Sequence, residues 1–246
     1  MDDFVKDQLD ILACRSLNAR PLMVVSRGST VWGDGMPDSD RDMAILFDWD
    51  PAQYISINQP NQVLNWKHEG CDVEAMELSK AMSLLSKGNM NVLMWLCVGG
   101  MHRHFLTNRA QALLDNTDRF IHHGLVRHLF GMARSMMRKR STFGHPLGLK
   151  AARYETKAYV LLRALAEGKP LTYQYPWWVA GQLKEARRWG TLSVGMEQWL
   201  DNEFTELSAL RDQMSSRVAC PGQINQILRL VVQSPLDKSD TDWYVE

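Results

Sequence analysis

The sequence is poor in the features that mark membrane and secreted proteins. Its uninterrupted apolar stretches are short, such as residues 92–98, whereas a helix that spans a bilayer needs about 20 apolar residues. The N-terminus, Met1-Asp2-Asp3, is acidic where a signal or transit peptide would be basic. The four cysteines are far apart and form no Cys-x-x-Cys pair. These absences argue against a membrane protein or a disulfide scaffold, and they predict a cytoplasmic protein with reduced, buried thiols.

The chain also lacks a net charge, since 28 Lys and Arg balance 28 Asp and Glu. Whole-chain neutrality argues against non-specific, charge-driven binding to nucleic acid. The charges are nevertheless unevenly placed: residues 34–50 contain six Asp and one Arg, and residues 127–163 contain nine basic residues and one Glu. An anionic loop and a cationic stretch in one chain suit a site that holds metal ions and a polyphosphate together. Two solvated faces are the alternative.

Hydrophobic periodicity divides the chain into a mixed N-terminal half and a helical C-terminal half. Strands are predicted at residues 22–25, 43–47, 63–66 and 71–76. Helices are predicted at residues 3–17, 78–87, 91–98, 118–140, 151–167, 177–188, 196–216 and 222–233. The predicted fold class is α+β, with a mixed sheet flanked by helices over residues 1–100 and an all-helical domain over residues 101–246.

One segment combines a glycine-serine turn with closely spaced carboxylates. Gly28-Ser29 follows the first predicted strand, and Asp40 and Asp42 stand at the start of the second. Carboxylates two residues apart on a strand project from the same face, with Cα atoms about 6.5–7 Å apart. This spacing suits two metal ions about 3.5–4 Å apart. Glycine lets backbone N–H groups approach phosphate oxygens, and the serine hydroxyl can donate a further hydrogen bond.

Two familiar ion and phosphate sites do not fit this segment. An EF-hand beginning at Asp38 needs Gly and Glu where Met43 and Trp49 stand. A P-loop beginning at Gly28 needs Lys where Asp34 stands. An ordinary polar turn, in which Asp and Ser side chains bond the backbone, stays open on this segment alone.

The spacing of Gly28-Ser29, ten further residues and then Asp40-x-Asp42 resembles the signature of the polymerase β-like nucleotidyltransferase superfamily. The fuller string, with Trp32-Gly33 and Ser39-Asp40-Arg41-Asp42, resembles the subgroup of predicted nucleotidyltransferases found beside RNA-repair ligases and in phage genomes. Further stretches similar to that subgroup are Asp72-Val73-Glu74 and residues 78–93, 154–168 and 186–190. The resemblance implies a nucleotidyltransferase-like catalytic domain and a helical domain that completes the cleft for nucleotide and acceptor.

The resemblance also implies roles for individual residues. Asp40, Asp42 and Asp72 would be the catalytic carboxylates and hold two Mg²⁺, with Mn²⁺ as a substitute. Asp72 would also accept the proton of the attacking hydroxyl, and Glu74, on the same strand face, is the alternative to it. The implied nucleotide-binding residues are Gly28, Ser29, Thr30, Ser39, Lys150 and Lys157. Lys150, Arg153 and Lys157 recur at i, i+3 and i+7, so a helix would place them on one face; a solvated basic face is the alternative.

The sequence departs from the subgroup at three places. Thr30 stands where the subgroup usually has Arg, and Met94 stands where it often has Glu. No His lies between Lys157 and Arg163, where the subgroup commonly has one. These departures point to altered substrate choice or weakened catalysis, with the metal-binding core intact.

The function implied by the resemblance is transfer of a nucleoside monophosphate from a nucleoside triphosphate to a hydroxyl acceptor, with release of pyrophosphate. RNA or tRNA is the expected acceptor, in the cytoplasm of a prokaryotic or phage-infected cell, and no membrane is involved. Two alternatives stay open. One is a catalytically weak relative that binds nucleotide or RNA for regulation, and the other modifies a protein hydroxyl, as toxin-neutralising relatives do.

Histidines and tryptophans add little to this interpretation. The seven histidines, even with Cys97, match no standard zinc-ligand spacing. The tryptophans of the helical half are predicted to be core residues, with base stacking as the alternative. They are Trp177, Trp178, Trp189 and Trp199.

Overall fold

A computed structural model describes residues 2–16, 18–55, 60–142, 147–216 and 226–227. The strands are β1 (Ala19–Ser26), β2 (Arg41–Trp49), β3 (Val63–His68), β4 (Cys71–Glu77) and β5 (Arg103–Leu106). The helices are α1 (Asp3–Arg15), α2 (Ser29–Trp32), α3 (Pro51–Tyr54), α4 (Leu78–Ser86), α5 (Met90–Cys97), α6 (Asn108–Leu114), α7 (His123–Thr142), α8 (Leu147–Glu167), α9 (Trp177–Trp189), α10 (Val194–Ala209) and α11 (Arg211–Ser216). Among the described residues, no helix is both long and apolar enough to cross a lipid bilayer.

The five strands form one mixed sheet in the order β3-β4-β2-β1-β5. Strand β2 pairs parallel with β4, and the other neighbours are antiparallel. Residues 43–49 of β2 are buried without interruption, as expected for an inner strand covered on both faces. The parallel register sets the first residues of β2 directly beside those of β4, which is where the acidic segment enters the sheet.

Side chains alternate between the two faces of the sheet and feed two apolar cores. On one face, Val24, Ile45 and Phe47 pack with residues of α1. On the other face, Val25 and Leu46 belong to a larger cluster that continues through α4 and α5 into α7, α8 and α9. The larger core therefore crosses residue 100, the predicted domain boundary.

Two long helices, α7 and α8, dominate the C-terminal half. Their contact includes a charged pair, in which Arg140 Nε donates to Glu155 Oε2 at 2.9 Å. Arg140 also reaches Asp201 of α10 at 2.6 Å. The Glu155 side chain is fully buried, so the Arg140 guanidinium compensates for the loss of water around this carboxylate. The predicted α+β class, a mixed sheet followed by a helical region, is confirmed.

Several local predictions were wrong. Strand β5 was predicted as part of a helical region, because its four residues show no apolar alternation that would indicate a strand. The strand forms because these residues pair with β1. Cys14 is exposed, against the prediction of buried thiols. Trp177, Trp178 and Trp189 are also exposed rather than core residues. The helix predicted at residues 222–233 lies almost wholly outside the described residues.

Candidate active site

The Gly28-Ser29 turn joins β1 to the short helix α2 beside the start of β2. Arg27 N–H donates to the Asp42 carbonyl at 2.8 Å, so the strands are still paired where the turn begins. Gly28 has φ +71° and ψ −146°, a conformation that non-glycine residues very rarely adopt. A Cβ atom at Gly28 would overlap the Asp42 carboxylate. Glycine therefore permits both the turn and the position of Asp42.

Gly28→Ala is expected to lower the free energy of unfolding by about 2–3 kcal/mol, because backbone strain adds to the overlap with Asp42. Gly33→Ala is the matched control. Gly33 also has a positive φ of 80°, but a Cβ there meets no atom within 4 Å, so its expected cost is about 1 kcal/mol. Urea unfolding compares the two variants. Equal losses would show that Asp42 does not lie against Gly28.

Asp40, Asp42 and Asp72 gather at one end of the parallel strand pair. Asp42 and Asp72 are register partners on β2 and β4, and neighbouring strands lie about 4.8 Å apart. Asp40 directly precedes β2 and is exposed. Asp72 Oδ1 forms an ion pair with Lys67 Nζ at 2.9 Å, and the Lys67 side chain is 76% exposed. Asp72 is therefore held by a cation that borders solvent.

Glu74, the alternative third carboxylate, has a different partner. Its Oε2 accepts from Arg27 Nη1 at 2.6 Å, and both side chains are about one-quarter exposed. Glu74 is thus paired more deeply than Asp72 and lies beside Ala44 instead of Asp42 in the β2–β4 register. This geometry favours Asp72 over Glu74 as the partner of Asp42.

The three aspartates offer a suitable donor set for a hard divalent cation, which prefers carboxylate oxygens. Burial raises the pKa of Asp42, Arg27 opposes this shift, and the charges of Asp72 and Asp40 add to it. A cation among the carboxylates would relieve both the burial and the repulsion. In the part of the chain that is described, however, these three aspartates do not form a group whose ligand atoms all lie within 4.8 Å of one another; only Asp7, His68 and Glu69 form such a group, at the protein surface.

A cleft of about 570 Å³ opens between the acidic segment and the helical half. One wall is formed by the turn and the aspartates that follow it, and the other by α8 and the end of α9. The lining residues are Gly28, Ser29, Ser39, Asp40, Asp42, Leu147, Leu149, Lys150, Arg153, Tyr154, Lys157 and Arg187. An anionic wall therefore faces a cationic wall, with an apolar corner at Leu147, Leu149 and Tyr154.

Lys157 is the most deeply buried cation of the cleft. Its Nζ lies 5.2 Å from the centre of the Trp32 ring and 5.0 Å from that of Tyr154. Burial lowers the pKa of Lys157 to about 8, and the neighbouring Arg153 charge contributes to the shift. No hydrogen bond or ion pair among the described residues uses this ammonium group. It is therefore available to an anionic ligand.

Asp34 connects the acidic segment to the helical half. Its side chain is fully buried, and its Oδ2 accepts from Arg153 Nε at 2.6 Å. The other carboxylate oxygen, Oδ1, is buried without a hydrogen-bond partner. Arg187 donates to the Asp34 carbonyl at 2.9 Å and to Ser39 Oγ at 3.1 Å. These contacts fix two cleft-lining arginines against the segment that carries the aspartates.

Trp32 is a buried residue next to the cleft, and it contacts Met94. The Trp32 ring is fully buried, and its Nε1 donates to Met94 Sδ at 3.2 Å. Met94 is thus a buried partner of Trp32 and does not line the cleft. The Glu-to-Met departure noted in the sequence falls in the core beneath the site.

Residues 1–174, more than half of the chain, match the pattern of the RNA repair pathway DNA polymerase beta family (RlaP). The chain belongs to this family. Membership confirms the resemblance inferred from the Gly-Ser and Asp-x-Asp spacing, and it supports a transferase of the nucleotidyltransferase type. The carboxylates, the Gly28-Ser29 turn and the whole of α8 lie within the matched residues.

Two further proteins are similar to this member of the RNA repair pathway DNA polymerase beta family. The uncharacterized protein YcgL of Bacillus subtilis (strain 168) is 29% identical over 121 residues, which cover 49% of this chain and 46% of YcgL. The match therefore spans less than half of that relative. A nucleotidyltransferase-like protein from Exiguobacterium sibiricum 255-15 is 10% identical, with a TM-score of 0.32 over 94% of this chain and 80% of that protein.

The structure brings together most of the residues predicted for this family's site. Those lining the cleft are Gly28, Ser29, Ser39, Asp40, Asp42, Lys150 and Lys157. Asp72, the register partner of Asp42 on β4, does not line the cleft. Thr30 is exposed and borders a separate cavity of about 240 Å³ on the other side of Asp42. The basic residues of α8 line the cleft instead of forming a purely solvated face.

Other cleft residues were not predicted as site residues. Arg153 was part of the basic i, i+3, i+7 pattern, and Arg187 lay in a stretch similar to the subgroup, so sequence signals existed for both. Asp34, which holds Arg153 without lining the cleft, was interpreted only as one charge of the acidic loop and as the residue that excludes a P-loop. Leu147 and Leu149 carry no chemical signal in the sequence, since their role depends on where α8 begins.

Proposed function

We propose that this protein transfers a nucleoside monophosphate from a nucleoside triphosphate to a hydroxyl of an RNA or tRNA acceptor. The observation that carries the proposal is the pairing of an anionic and a cationic wall across one cleft. Lys150, Lys157 and Arg187 provide positive charges for a triphosphate, and Arg153, whose charge is balanced by Asp34, provides further N–H donors. The apolar corner at Leu147, Leu149 and Tyr154 provides a surface for the nucleobase. A cleft of about 570 Å³ lies within the size range of nucleotide-sized ligand sites.

The reaction joins the acceptor oxygen to the α-phosphorus and breaks the bond between that phosphorus and the oxygen that leads to the β-phosphate. Pyrophosphate leaves, and the proton of the attacking hydroxyl passes to a carboxylate, which we assign to Asp72. Ser29 and the cations of α8 would hold the triphosphate in line for the attack. Asp40, Asp42 and Asp72 would hold two Mg²⁺, or Mn²⁺, which when bound neutralise the charge that develops on the phosphate oxygens.

A labelling experiment tests the proposal. The protein is incubated with each of the four nucleoside triphosphates labelled at the α-phosphate, with Mg²⁺ and total RNA, and RNA and protein are then separated. We expect label in RNA, and we expect Asp40→Ala and Asp42→Ala to abolish it. Label in a protein fraction instead would favour the protein-modifying alternative. Absence of both incorporation and Mg²⁺-dependent nucleotide binding would refute the proposal.

The regulatory alternative has one observation in its favour. Asp72 is paired with Lys67, and the three aspartates do not form a group whose oxygen atoms all lie within 4.8 Å of one another. A protein that keeps this arrangement with nucleotide bound would bind without turnover. Mg²⁺-dependent nucleotide binding without incorporation into RNA or protein is the result expected from it.

Nucleotide affinity is expected to fall as the pH rises above about 8, where free Lys157 loses its proton. A bound triphosphate favours the charged ammonium and raises its pKa, so the affinity is level below pH 8. It then decreases by up to about tenfold per pH unit. Lys157→Arg keeps its charge throughout this range, so its profile should stay level. Isothermal titration calorimetry at several pH values measures the nucleotide affinity of the parent and of Lys157→Arg. The same pH dependence in both proteins would show that Lys157 does not contact the phosphates.

A further inference from the structure

The outer face of α9 exposes two tryptophans to solvent. Trp177 is 87% exposed and Trp189 is 75% exposed. Trp178, by contrast, is 38% exposed and packs edge-on against Trp199 with ring centres 5.2 Å apart. Trp177 and Trp178 line one groove, and contiguous exposed apolar side chains mark an interaction site where single scattered ones do not. This patch at the start of α9 indicates a surface that receives a partner.

Trp177 shares its face of α9 with basic side chains, whereas Trp189 lies about 120° around the helix from it. At about 100° per residue, Trp177, Lys184 and Arg188 fall on one exposed stripe of α9. Within the residues that the structure describes, no ion pair or hydrogen bond involves Lys184 or Arg188, so their charges face solvent. Arg187 lies roughly 60° around the helix from Lys184 and lines the cleft. The basic stripe is thus continuous with the cationic wall of the cleft.

A groove of about 630 Å³ flanks the stripe on the side away from Arg187, between α9 and the beginning of α10. Its apolar lining includes both rings at the start of α9, Gly181 and Met196, and its polar groups include Gln182 and Glu185. A flat apolar wall with a few hydrogen-bonding groups suits a nucleobase. The carboxylate of Glu185 makes the same groove unsuitable for a phosphate.

We propose that α9 binds a single-stranded part of the RNA acceptor and leads it towards the cleft. Trp177 stacks on a base at the groove, while Lys184 and Arg188 contact phosphates on the side nearer the cleft. Exposed aromatic rings beside unpaired basic groups are the usual means of binding single strands without sequence preference. This surface supplies the acceptor for the reaction proposed above, and the inference rests on that proposed function.

A second copy of the chain fits the same face less well. Symmetric pairing through α9 would bring Lys184 and Arg188 of both copies together, because a two-fold contact uses the same patch twice. Like charges placed opposite each other disfavour such a contact. An anionic single strand complements the stripe without this repulsion.

Binding of a fluorescein-labelled oligouridylate, measured by anisotropy at several salt concentrations, tests the proposal. We expect Trp177→Ala to weaken binding by about fivefold to 100-fold, the range for loss of one stacking platform. Lys184→Gln combined with Arg188→Gln should weaken binding and reduce the salt dependence by about one to two ion contacts. All these variants should bind nucleoside triphosphate as the parent does, since none of these residues lines the cleft.

Matched controls use the same changes elsewhere on the surface. Arg134→Gln with Arg138→Gln removes two exposed charges from α7, and Met101→Ala removes an apolar side chain that is 82% exposed. Neither control should alter RNA affinity. The proposal is wrong if the α9 variants bind RNA like the parent, or if Trp177→Ala changes only the sedimentation of the protein. If RNA binding depends on α9 but no nucleotide is incorporated, the proposed function is wrong and the RNA-binding surface on α9 is retained.

Discussion

Asp42→Asn is expected to lower the rate of nucleotidyl transfer by about 10³-fold or more. The amide keeps the size of the side chain but removes the charged oxygen donor that a divalent cation needs, and such a cation stabilises the reaction by several kcal/mol. The stability of the protein should be unchanged or higher. Burial raises the pKa of Asp42, and neighbouring aspartates add to the shift, so its charge is unfavourable in the folded state at neutral pH.

Loss of activity without loss of stability separates a catalytic role from a structural one. Asp38→Asn is the matched control, since Asp38 is an exposed aspartate of the same segment and does not line the cleft. It should retain activity. Incorporation assays and urea unfolding on the same preparations measure both properties. An active Asp42→Asn protein, or one that is clearly less stable than the parent, would contradict the assignment.

The carboxylate end of the site could be predicted because its determinants are local in the sequence. A glycine with positive φ, a strand that begins next to Asp42 and a two-residue spacing of carboxylates all lie within a few positions of one another. The basic face of α8 was predictable for the same reason, since helical periodicity alone places Lys150, Arg153 and Lys157 together. Burial of the inner strand β2 likewise follows from its continuous apolar run.

The remaining features depend on contacts between distant segments. Strand β5 exists because Phe105 and Leu106 pair with β1, more than 75 residues earlier in the chain. Exposure of Trp177 depends on which face of α9 meets α8, and a tryptophan in an amphipathic helix is ordinarily assigned to the core. Arg187 enters the cleft from a helix that begins after residue 174, beyond the region matched by the family.

Asp34 shows how a charge in the acidic segment can have a structural role. Its fully buried carboxylate pairs with Arg153, while its carbonyl accepts from Arg187. The Arg153–Asp34 pair spans 119 positions of the sequence. The acidic segment is therefore attached to the helices that provide the opposite wall, and the distance between the walls depends on this attachment.

Asp34→Asn is expected to lower the free energy of unfolding by about 3 kcal/mol, because it leaves the Arg153 guanidinium without its charged partner. Arg153→Gln should cost more, about 4–5 kcal/mol, because the carboxylate that it leaves unpaired is completely buried whereas the Arg153 side chain is 23% exposed. Urea unfolding measures both variants. Glu167→Gln, which removes one partner of the exposed pair with Lys169, is the control and should cost less than about 0.5 kcal/mol.

The double variant Asp34→Asn with Arg153→Gln distinguishes a direct pair from two independent losses. Each single change leaves an uncompensated charge, whereas the double change leaves two neutral amides that can bond each other. The double variant should therefore lose about 2–3 kcal/mol less free energy of unfolding than the two single variants lose in sum. Single losses that add within about 0.5 kcal/mol would show that the two groups act separately. Nucleotide affinity should fall in both variants that lack Arg153, because Arg153 lines the cleft. It should fall less in Asp34→Asn, because Asp34 affects phosphate binding only by holding Arg153 in place.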